Sequence, residues 1–516
     1  MHSTSLKWLS LVAIIWLQAI NGTNTDFPAY SSQLKQLLSI SQIQLNTLAF
    51  ASDAGKLFGW LSGLAAIHLP LWLVLIIGST LGLIGYGVQY YLFLTNQISS
   101  LSYWHVFLLT FLAGNSICWI NTVCYVVAIR NFLSNSQVAV GLSTSYQGLS
   151  AKIYINIVDV VSPHNKAKTF LFMNSLVPIV ISLLVAPIVR EIEVKNPKHS
   201  SVGFALMFVI TIATGIYAVM SSLQFFTSKI SSLGVLIGLL VSLLLPLLLP
   251  ISFKIKELVD SWYKKRERLR VYHFTMDENN NEESRVSEVK EGEDCSEVEE
   301  IDVMEEIGVK LMLKRMNFWL YLFVYFFGAT IGLVFLNNLG QIAESRGCSA
   351  TSSLVSLSSS FGFFGRLMPS LVNYFYRGKH KISRAASMVA VMAPTSCAFF
   401  LLINKNDLAL YISTAVIGVS TGAITSIAVS TTTELFGTKN FSVNHNVLVA
   451  NIPIGSFLFG YSAALVYRKE GNEHGNCIGI DCYRNTFILW GSCCCLGTLL
   501  ALILHTRTRN FYSHKQ

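Results

Sequence analysis

Long apolar runs alternate with short polar segments along most of the chain. About 20 apolar residues are needed for a helix to cross about 30 Å of hydrocarbon. Runs of this kind predict eight spans in the first part of the chain, at residues 6–25, 45–66, 71–94, 103–129, 137–159, 168–189, 202–224 and 231–252. Six more are predicted at 317–338, 350–372, 384–404, 408–430, 443–466 and 485–506. The pattern predicts an all-α polytopic membrane protein with 12–14 transmembrane helices. Removing one pair of spans leaves both termini on the same side of the membrane, so twelve spans remain possible.

The first apolar run admits two interpretations. Lys7 followed by the apolar stretch from Trp8 to Ile20 has the outline of a secretory signal peptide. The bulky Trp8 and Trp16, and the lack of a small-residue cleavage pattern at Asn21, favour a helix that stays in the membrane.

One long polar break, residues 253–316, interrupts the apolar pattern. It begins basic, becomes acidic from Asp277 to Glu306 and ends basic again at Arg315. The acidic part cannot bury enough apolar surface to offset its ordering entropy, so we expect a largely disordered cytoplasmic loop. The chain is thus predicted to comprise an N-terminal membrane bundle (1–252, about eight helices), this loop (253–316) and a C-terminal bundle of six helices (317–516).

Loop charge predicts the orientation of the helices. With fourteen spans, the basic loops around Arg190 and Arg377, the long break and both termini lie in the cytosol, as the positive-inside rule requires. Lys166, Lys168, Arg468, Lys469 and Arg484 go against this assignment. The loop containing Cys477 and Cys482 then lies on the opposite side, where a disulfide between them would persist. The pattern is equally typical of plasma-membrane and endomembrane proteins.

Composition supports the membrane assignment and excludes several function classes. Charged residues make up 13% of the chain, against about 25% in soluble domains. The net charge of +9 is explained by basic cytoplasmic loops, so no nucleic-acid partner is needed to account for it. The expected partner is the lipid bilayer. No catalytic motif, Walker A sequence, dinucleotide fingerprint or metal-ligand spacing is present. We therefore expect no enzyme activity, no cofactor and no metal.

Lys152 is the most prominent charge inside a predicted span. A cation at the bilayer centre costs about 2.5–3.5 kcal/mol and is a functional candidate by default. Gly148, Asn156 and Asp159 share its helix face. The sequence predicts a cation that attracts an anionic solute; the alternatives are a structural pair with Asp159 and an ammonium group that reaches the outer interface.

Other polar residues inside the spans form two further sets. The substrate-path candidates, any of which could instead hold helices together, are Asn115, Trp119, Asn121, Gln147, Lys152 and Asp159. The gating or packing candidates are Asp53, Gly55, Lys56, Gly59, Arg366, Asn446 and Pro453. Pro453 leaves one carbonyl without its helical donor and favours a kink, which could be a hinge or a packing feature.

Nine short segments together form a recognisable pattern: Lys7-Trp8-Leu9, Gln18 to Gly22, Tyr30 to Lys35, Ser41-Gln42, Ala51 to Lys56, Tyr146 to Lys152, Glu434 to Gly437, Asn444 to Asn446 and Pro453 to Ser456. These segments resemble the plant nodulin-like membrane proteins, a family that includes the nuclear-fusion-defective group and is similar to the major facilitator superfamily. The resemblance implies a two-bundle fold of the major facilitator type, alternating access around a central cavity, and a plant source.

The resemblance implies secondary transport of a small solute, which a proton gradient could drive. The expectation that the solute is anionic rests on Lys152. The superfamily's signature Asp is missing after Gly59 and Gly63, and again near Arg366, which puts the standard gating salt bridges in doubt. The missing Asp and the long acidic loop motivate an alternative: a membrane receptor or assembly factor that does not transport, with a cytosolic partner for the loop.

Overall fold

The computed structural model describes residues 4–95, 102–192, 200–223, 231–277, 305–348, 351–376, 383–471 and 477–513. Within these ranges the regular structure is helical. Most of the acidic segment for which we predicted disorder lies outside the described residues, as does Arg377.

The described helices fall into two groups separated by the polar break. Those before the break are α1 (Thr4–Ile20), α2 (Phe27–Leu38), α3 (Gln42–Ala54), α4 (Gly59–His68), α5 (Leu71–Leu94), α6 (Tyr103–Asn131), α7 (Ser136–Val161), α8 (Lys166–Val185), α9 (Ser200–Met220), α10 (Ser232–Leu244) and α11 (Leu248–Asp277). Those after it are α12 (Val309–Met312), α13 (Met316–Tyr325), α14 (Ile331–Ser345), α15 (Thr351–Tyr376), α16 (Arg384–Leu401), α17 (Asp407–Phe436), α18 (Phe441–Val449), α19 (Asn451–Lys469) and α20 (Asp481–Ser513).

Fourteen helical segments correspond to the fourteen predicted apolar runs. In the described part of the chain, ten are long and apolar enough to cross a membrane. The other four are α1, with 17 residues, the interrupted pair α3–α4, and α7 and α15, which are long but carry many polar residues. The prediction of an all-α polytopic membrane protein is confirmed.

Two helix pairs join the halves of the molecule. Helix α7 of the first half lies along α15 of the second half, and α3–α4 lies along α18–α19. Because Gly148 carries no side chain, the α7 backbone approaches α15 closely enough for Ser359 to donate to the Gly148 carbonyl at 2.5 Å. We call the end where α1 begins the first end and the end where α1 finishes the second end.

The pair α9 and α10 packs outside this junction, against α7, and α9 also packs against α15. The Trp16 indole of α1 donates to the Leu243 carbonyl of α10 at 2.9 Å, and Trp8 packs edge-to-face against Phe204 of α9. Trp8 and its neighbours on α1 are buried in the core of the first half. Helix α1 is therefore an integral part of that core.

The two helices that face each other across the halves are both interrupted. Between α3 and α4 the chain forms a 3₁₀ turn, Gly55–Phe58. Opposite it, α18 ends at Val449 and α19 begins at Asn451. Val449 lies four residues before Pro453, so the proline ring removes the helical donor for its carbonyl and accounts for the break.

The basic part of the polar break differs from our prediction of a loop. Helix α11 continues from the apolar segment through to Asp277. Its residues Lys254 to Arg266 are mostly exposed, and Lys, Arg and Glu are good helix formers. The described chain resumes at Glu305, where Arg315 forms an ion pair with Glu305 at 2.6 Å.

We predict that Gly148→Ala lowers the melting temperature, whereas Gly87→Ala does not. A Cβ at Gly148 would lie 2.7 Å from the Phe363 backbone nitrogen, whereas at Gly87 the nearest atom, in Ser175, is 3.6 Å away. Overpacking of this kind costs about 1–3 kcal/mol, while alanine in a helix with room gains up to about 1 kcal/mol. Thermal unfolding of both variants in the same detergent is the measurement; equal melting temperatures would contradict the close approach of α7 and α15.

Candidate functional site

A polar cavity of about 80 Å³ lies between the two halves. One water occupies about 10–15 Å³ by the same measure, so the cavity holds a few waters in this conformation. Both halves line it. The first half contributes Asn24, Thr25, Lys56, Ile117, Cys118, Asn121, Tyr125, Thr144 and Gln147, and the second half contributes Tyr325, Leu333, Arg366, Thr425, Ser426, His445, Asn446, Val449 and Ile452.

Arg366 brings a guanidinium group from α15 into this cavity. Its Nη1 donates to the Thr144 carbonyl at 3.4 Å and to the side-chain oxygen of Gln147. The rings of Tyr125 on α6 and Tyr325 on α13 lie close to it, one from each half. Among the described residues, no carboxylate lies within ion-pairing distance of Arg366 and no acceptor engages its Nε or Nη2.

Lys56, the other strong cation of the cavity, is neutralised by its own helix. Its ammonium group lies 2.5 Å from Asp53 Oδ1, three residues earlier. The second carboxylate oxygen of Asp53 accepts hydrogen bonds from Asn337 at 3.0 Å and Ser456 at 2.6 Å, both in the second half. A buried carboxylate thus joins α3 of the first half to α14 and α19 of the second.

Besides Lys56, three of the residues predicted from sequence line the cavity with Arg366. Gln147 contacts the guanidinium, and Asn121 accepts from Asn21 at 3.0 Å. Asn446 donates to Thr122 of the first half at 2.9 Å. Gly59 permits this approach, because a Cβ there would lie 3.0 Å from Asn446 Oδ1.

Asn115 and Trp119 lie beside the cavity, where they pack helices together. Asn115 donates to the Gly55 carbonyl at 2.7 Å, and Trp119 donates to Asn115 at 2.8 Å. The Gly55 carbonyl belongs to the 3₁₀ turn between α3 and α4, so Asn115 supplies a donor at that break. A Cβ at Gly55 would lie 2.3 Å from the Phe111 carbonyl, which explains why glycine occupies this crossing.

Lys152 and Asp159 do not line the cavity. The Lys152 side chain is 1% exposed and donates at 2.8 Å to Ser222, which follows the end of α9 by two residues. Asp159 pairs instead with Lys166 at 2.9 Å near the second end. Of the substrate-path candidates, only Asn121 and Gln147 line the cavity. Its guanidinium comes from Arg366, which was predicted as a gating or packing residue.

The halves are also joined at both ends of the bundle. At the first end, Glu434 of α17 accepts from Arg384 at 2.9 Å and from Gln137 of α7 at 2.8 Å. At the second end, Gln341 of α14 donates to Ser31 of α2 at 3.4 Å. The cavity is therefore flanked by contacts between the halves on either side.

The sequence reasoning missed several of these residues. Arg384 begins the predicted span 384–404, and Glu434 lies four residues beyond the predicted span 408–430. A charge near the end of a span costs little free energy, so neither residue signalled a partner. Helix α2 is only 12 residues long and half polar, too short for a span. The second-end loop does place Cys477 and Cys482 together, in a disulfide.

We predict that Asp53 and Lys56 are strongly coupled in stability. Asp53→Asn leaves the Lys56 ammonium buried without its counter-charge, which costs about 3–5 kcal/mol. The double variant Asp53→Asn with Lys56→Met should recover much of that loss, since it buries no unpaired charge. Thermal unfolding of the two single variants and the double variant measures the coupling; additive losses would contradict the pairing.

Comparisons with known proteins agree with this architecture. Residues 7–253 match the family described as Nodulin-like, and residues 300–514 match the family described as NFD4, C-terminal domain. The curated protein NUCLEAR FUSION DEFECTIVE 4 from Arabidopsis thaliana is 39% identical over 526 residues, which cover 98% of this chain and 89% of that protein.

Two solved transporter structures share the fold. The proton:xylose symporter XylE, a major facilitator superfamily protein, aligns with a TM-score of 0.55 at 12% identity over 98% of this chain and 96% of its own. A structure of proton-dependent oligopeptide transporters aligns with a TM-score of 0.53 at 10% identity over 98% and 99%. At such identities the likeness shows the fold alone. Together with the sequence matches, it establishes that the chain belongs to the nodulin-like family of multi-pass membrane proteins, with a fold of the major facilitator type.

Proposed function

We propose that this protein is a secondary transporter that moves a small anionic solute by alternating access through the cavity between its halves. The observation that carries the proposal is Arg366. A guanidinium group in a water-poor bundle is costly unless an anion neutralises it. Since the described residues offer it no carboxylate, a carboxylate or another small anion from solution is the natural counter-charge.

The surroundings of Arg366 suit an anion with a compact polar body. The guanidinium can present two parallel N–H groups, which match the two oxygens of a carboxylate. Tyr125 and Tyr325 flank the group with apolar ring faces and hydroxyl tips. Asn121 and Ser426 place further hydrogen-bonding groups in the same cavity. Lys56, paired with Asp53, adds little net charge.

Alternating access needs contacts that can break at one end while they hold at the other. Glu434 with Arg384 and Gln137 supplies such a contact at the first end, and α2 against α14 supplies one at the second. Asp53 lies between these two contacts and touches both halves. We propose that opening either end exposes Arg366 to that side of the membrane.

The proposed orientation places both termini in the cytosol. Arg190 and Arg384 lie at the first end, and the positive-inside rule places such basic segments in the cytosol. The Cys477–Cys482 disulfide lies at the second end. Because disulfides persist outside the reducing cytosol, we place the second end on the non-cytosolic side. An Asn-x-Thr acceptor inserted beside Ile478, which is exposed, should be glycosylated in a eukaryotic host. If a tag at the N-terminus were glycosylated instead, the orientation would be the opposite of the one proposed.

The transport test is uptake of labelled solutes into proteoliposomes containing the full chain. The panel combines labelled mono- and dicarboxylic acids with neutral sugars and nucleosides. We expect flux of one or more acids. We also expect Arg366→Gln to abolish this flux. Arg366→Lys should retain only part of the flux, because an ammonium group cannot offer the bidentate geometry.

Lys152→Ala is the matched comparison, since it also removes a buried cation but one outside the cavity. We expect it to retain acid flux. Loss of flux in Lys152→Ala with full flux in Arg366→Gln would return the anion site to Lys152. Flux of none of these solutes by folded protein, under gradients of either sign, would overturn the transporter proposal and favour a receptor or assembly factor.

A further inference from the structure

A buried carboxyl group lies apart from Arg366, in the connection between α1 and α2. Asp26 is 0% exposed, and Asn174 of α8, which faces it, is also 0% exposed. Asn174 Nδ2 donates to Asp26 Oδ1 at 3.3 Å and to the Thr23 carbonyl at 3.5 Å. Asp26 Oδ2 and Asn174 Oδ1 have no hydrogen-bond partner among the described residues.

No described cation balances this carboxyl group. The titratable side chains that face it are Tyr30 of α2, Tyr86 of α5 and Tyr154 of α7, and none of them carries a positive charge. The Tyr86 hydroxyl donates to the Thr23 carbonyl at 3.2 Å, and the Tyr154 hydroxyl donates to the Ile20 carbonyl at 3.0 Å. An ionised carboxylate in such a site would be desolvated and unpaired, which is strongly unfavourable.

One proton resolves both unsatisfied atoms. A carboxylic acid with its hydrogen on Oδ2 donates, whereas Asn174 Oδ1 can only accept. Together with the existing amide donation to Oδ1, a proton on Oδ2 that is turned toward Asn174 Oδ1 would complete a two-bond pair between an acid and an amide. No described side chain supplies a donor to either oxygen, so a proton on the acid accounts for both.

The position of Asp26 connects this proton to the proposed transport path. Asn24 and Thr25, which immediately precede it, line the central cavity. Asp26 is also the residue from which α2 starts, and α2 packs on α14 of the second half. Gly340 of α14 approaches so closely that a Cβ there would lie 2.9 Å from the Pro28 carbonyl.

We propose that Asp26 and Asn174 form a proton-binding site that couples transport to a proton gradient. While α2 is docked on the second half, Asp26 retains its proton. Release requires water to reach Oδ2, so the O–H bond breaks and the proton passes to water only when α2 moves away and the second end opens. The coupling role rests on the proposed transport function, whereas the bound proton does not.

The first experiment tests the proton without any solute. Infrared spectra of the purified full chain in lipid nanodiscs at neutral pH should show a carboxylic-acid carbonyl band that Asp26→Asn removes. Asp26→Asn should fold, since an amide in this place forms the same two bonds with Asn174. Asp407→Asn, an exposed carboxylate at the start of α17, should leave the band in place. A wild-type spectrum whose acid band is unchanged in Asp26→Asn would overturn the proposal.

Thermal unfolding gives a second readout on the same variants. The folded protein holds a proton on Asp26 that the unfolded chain loses at lower pH, so stability falls as the pH rises through this interval. Wild-type protein should therefore lose more of its melting temperature than Asp26→Asn between mildly acidic and neutral pH. An equal loss in both proteins would count against the bound proton.

Proteoliposomes then separate coupling from transport. With the panel of labelled carboxylic acids, we expect Asp26→Asn to retain exchange at equal pH on both sides and to lose accumulation driven by a pH gradient. Accumulation equal to wild type would overturn the coupling role. If the wild-type protein exchanges none of the acids, the transport proposal fails, and the infrared band still decides whether Asp26 holds a proton.

Discussion

This architecture depends on one constraint, the free-energy cost of burying a charged side chain away from water. Inside the bundle, an ionisable side chain is neutralised by a nearby opposite charge, by a solute or by a proton, because little water is present to solvate a charge. Asp53 and Lys56 satisfy each other, and the remaining capacity of Asp53 is used on Asn337 and Ser456 of the opposite half. The junction of the two halves is thus organised around a neutralised pair.

Breaks in the facing helices follow from the same requirement. The 3₁₀ turn after Ala54 and the gap at Ala450 free backbone groups that a membrane interior cannot leave unpaired. Asn115 supplies the donor for the Gly55 carbonyl, and the cavity lies between the two interruptions. Irregular backbone at this depth is tolerated where it lines a polar cavity, so the breaks and the cavity explain each other.

The sequence predicted the positions of the helices well, but it predicted poorly which side chains meet between them. Span 71–94 coincides with α5, since Pro70 ends one apolar run and begins the next. From sequence, Lys152 was predicted to attract a solute, and Arg366 was placed among the gating or packing candidates. Periodicity places a residue on a helix face, but only the packing of three helices decides that Lys152 meets Ser222 while Arg366 meets a cavity. Asp26 gave no signal, because an acid in a polar linker is normally solvated.

The central claim is that Arg366 holds the charged group of a solute, and binding tests it more directly than flux. A ligand that binds the folded state raises the melting temperature. We predict that carboxylic acids from the panel raise the melting temperature of the wild-type protein, that their neutral amides do not, and that Arg366→Gln removes the shift. An equal shift in Arg366→Gln, or a shift by the amides alone, would contradict the account.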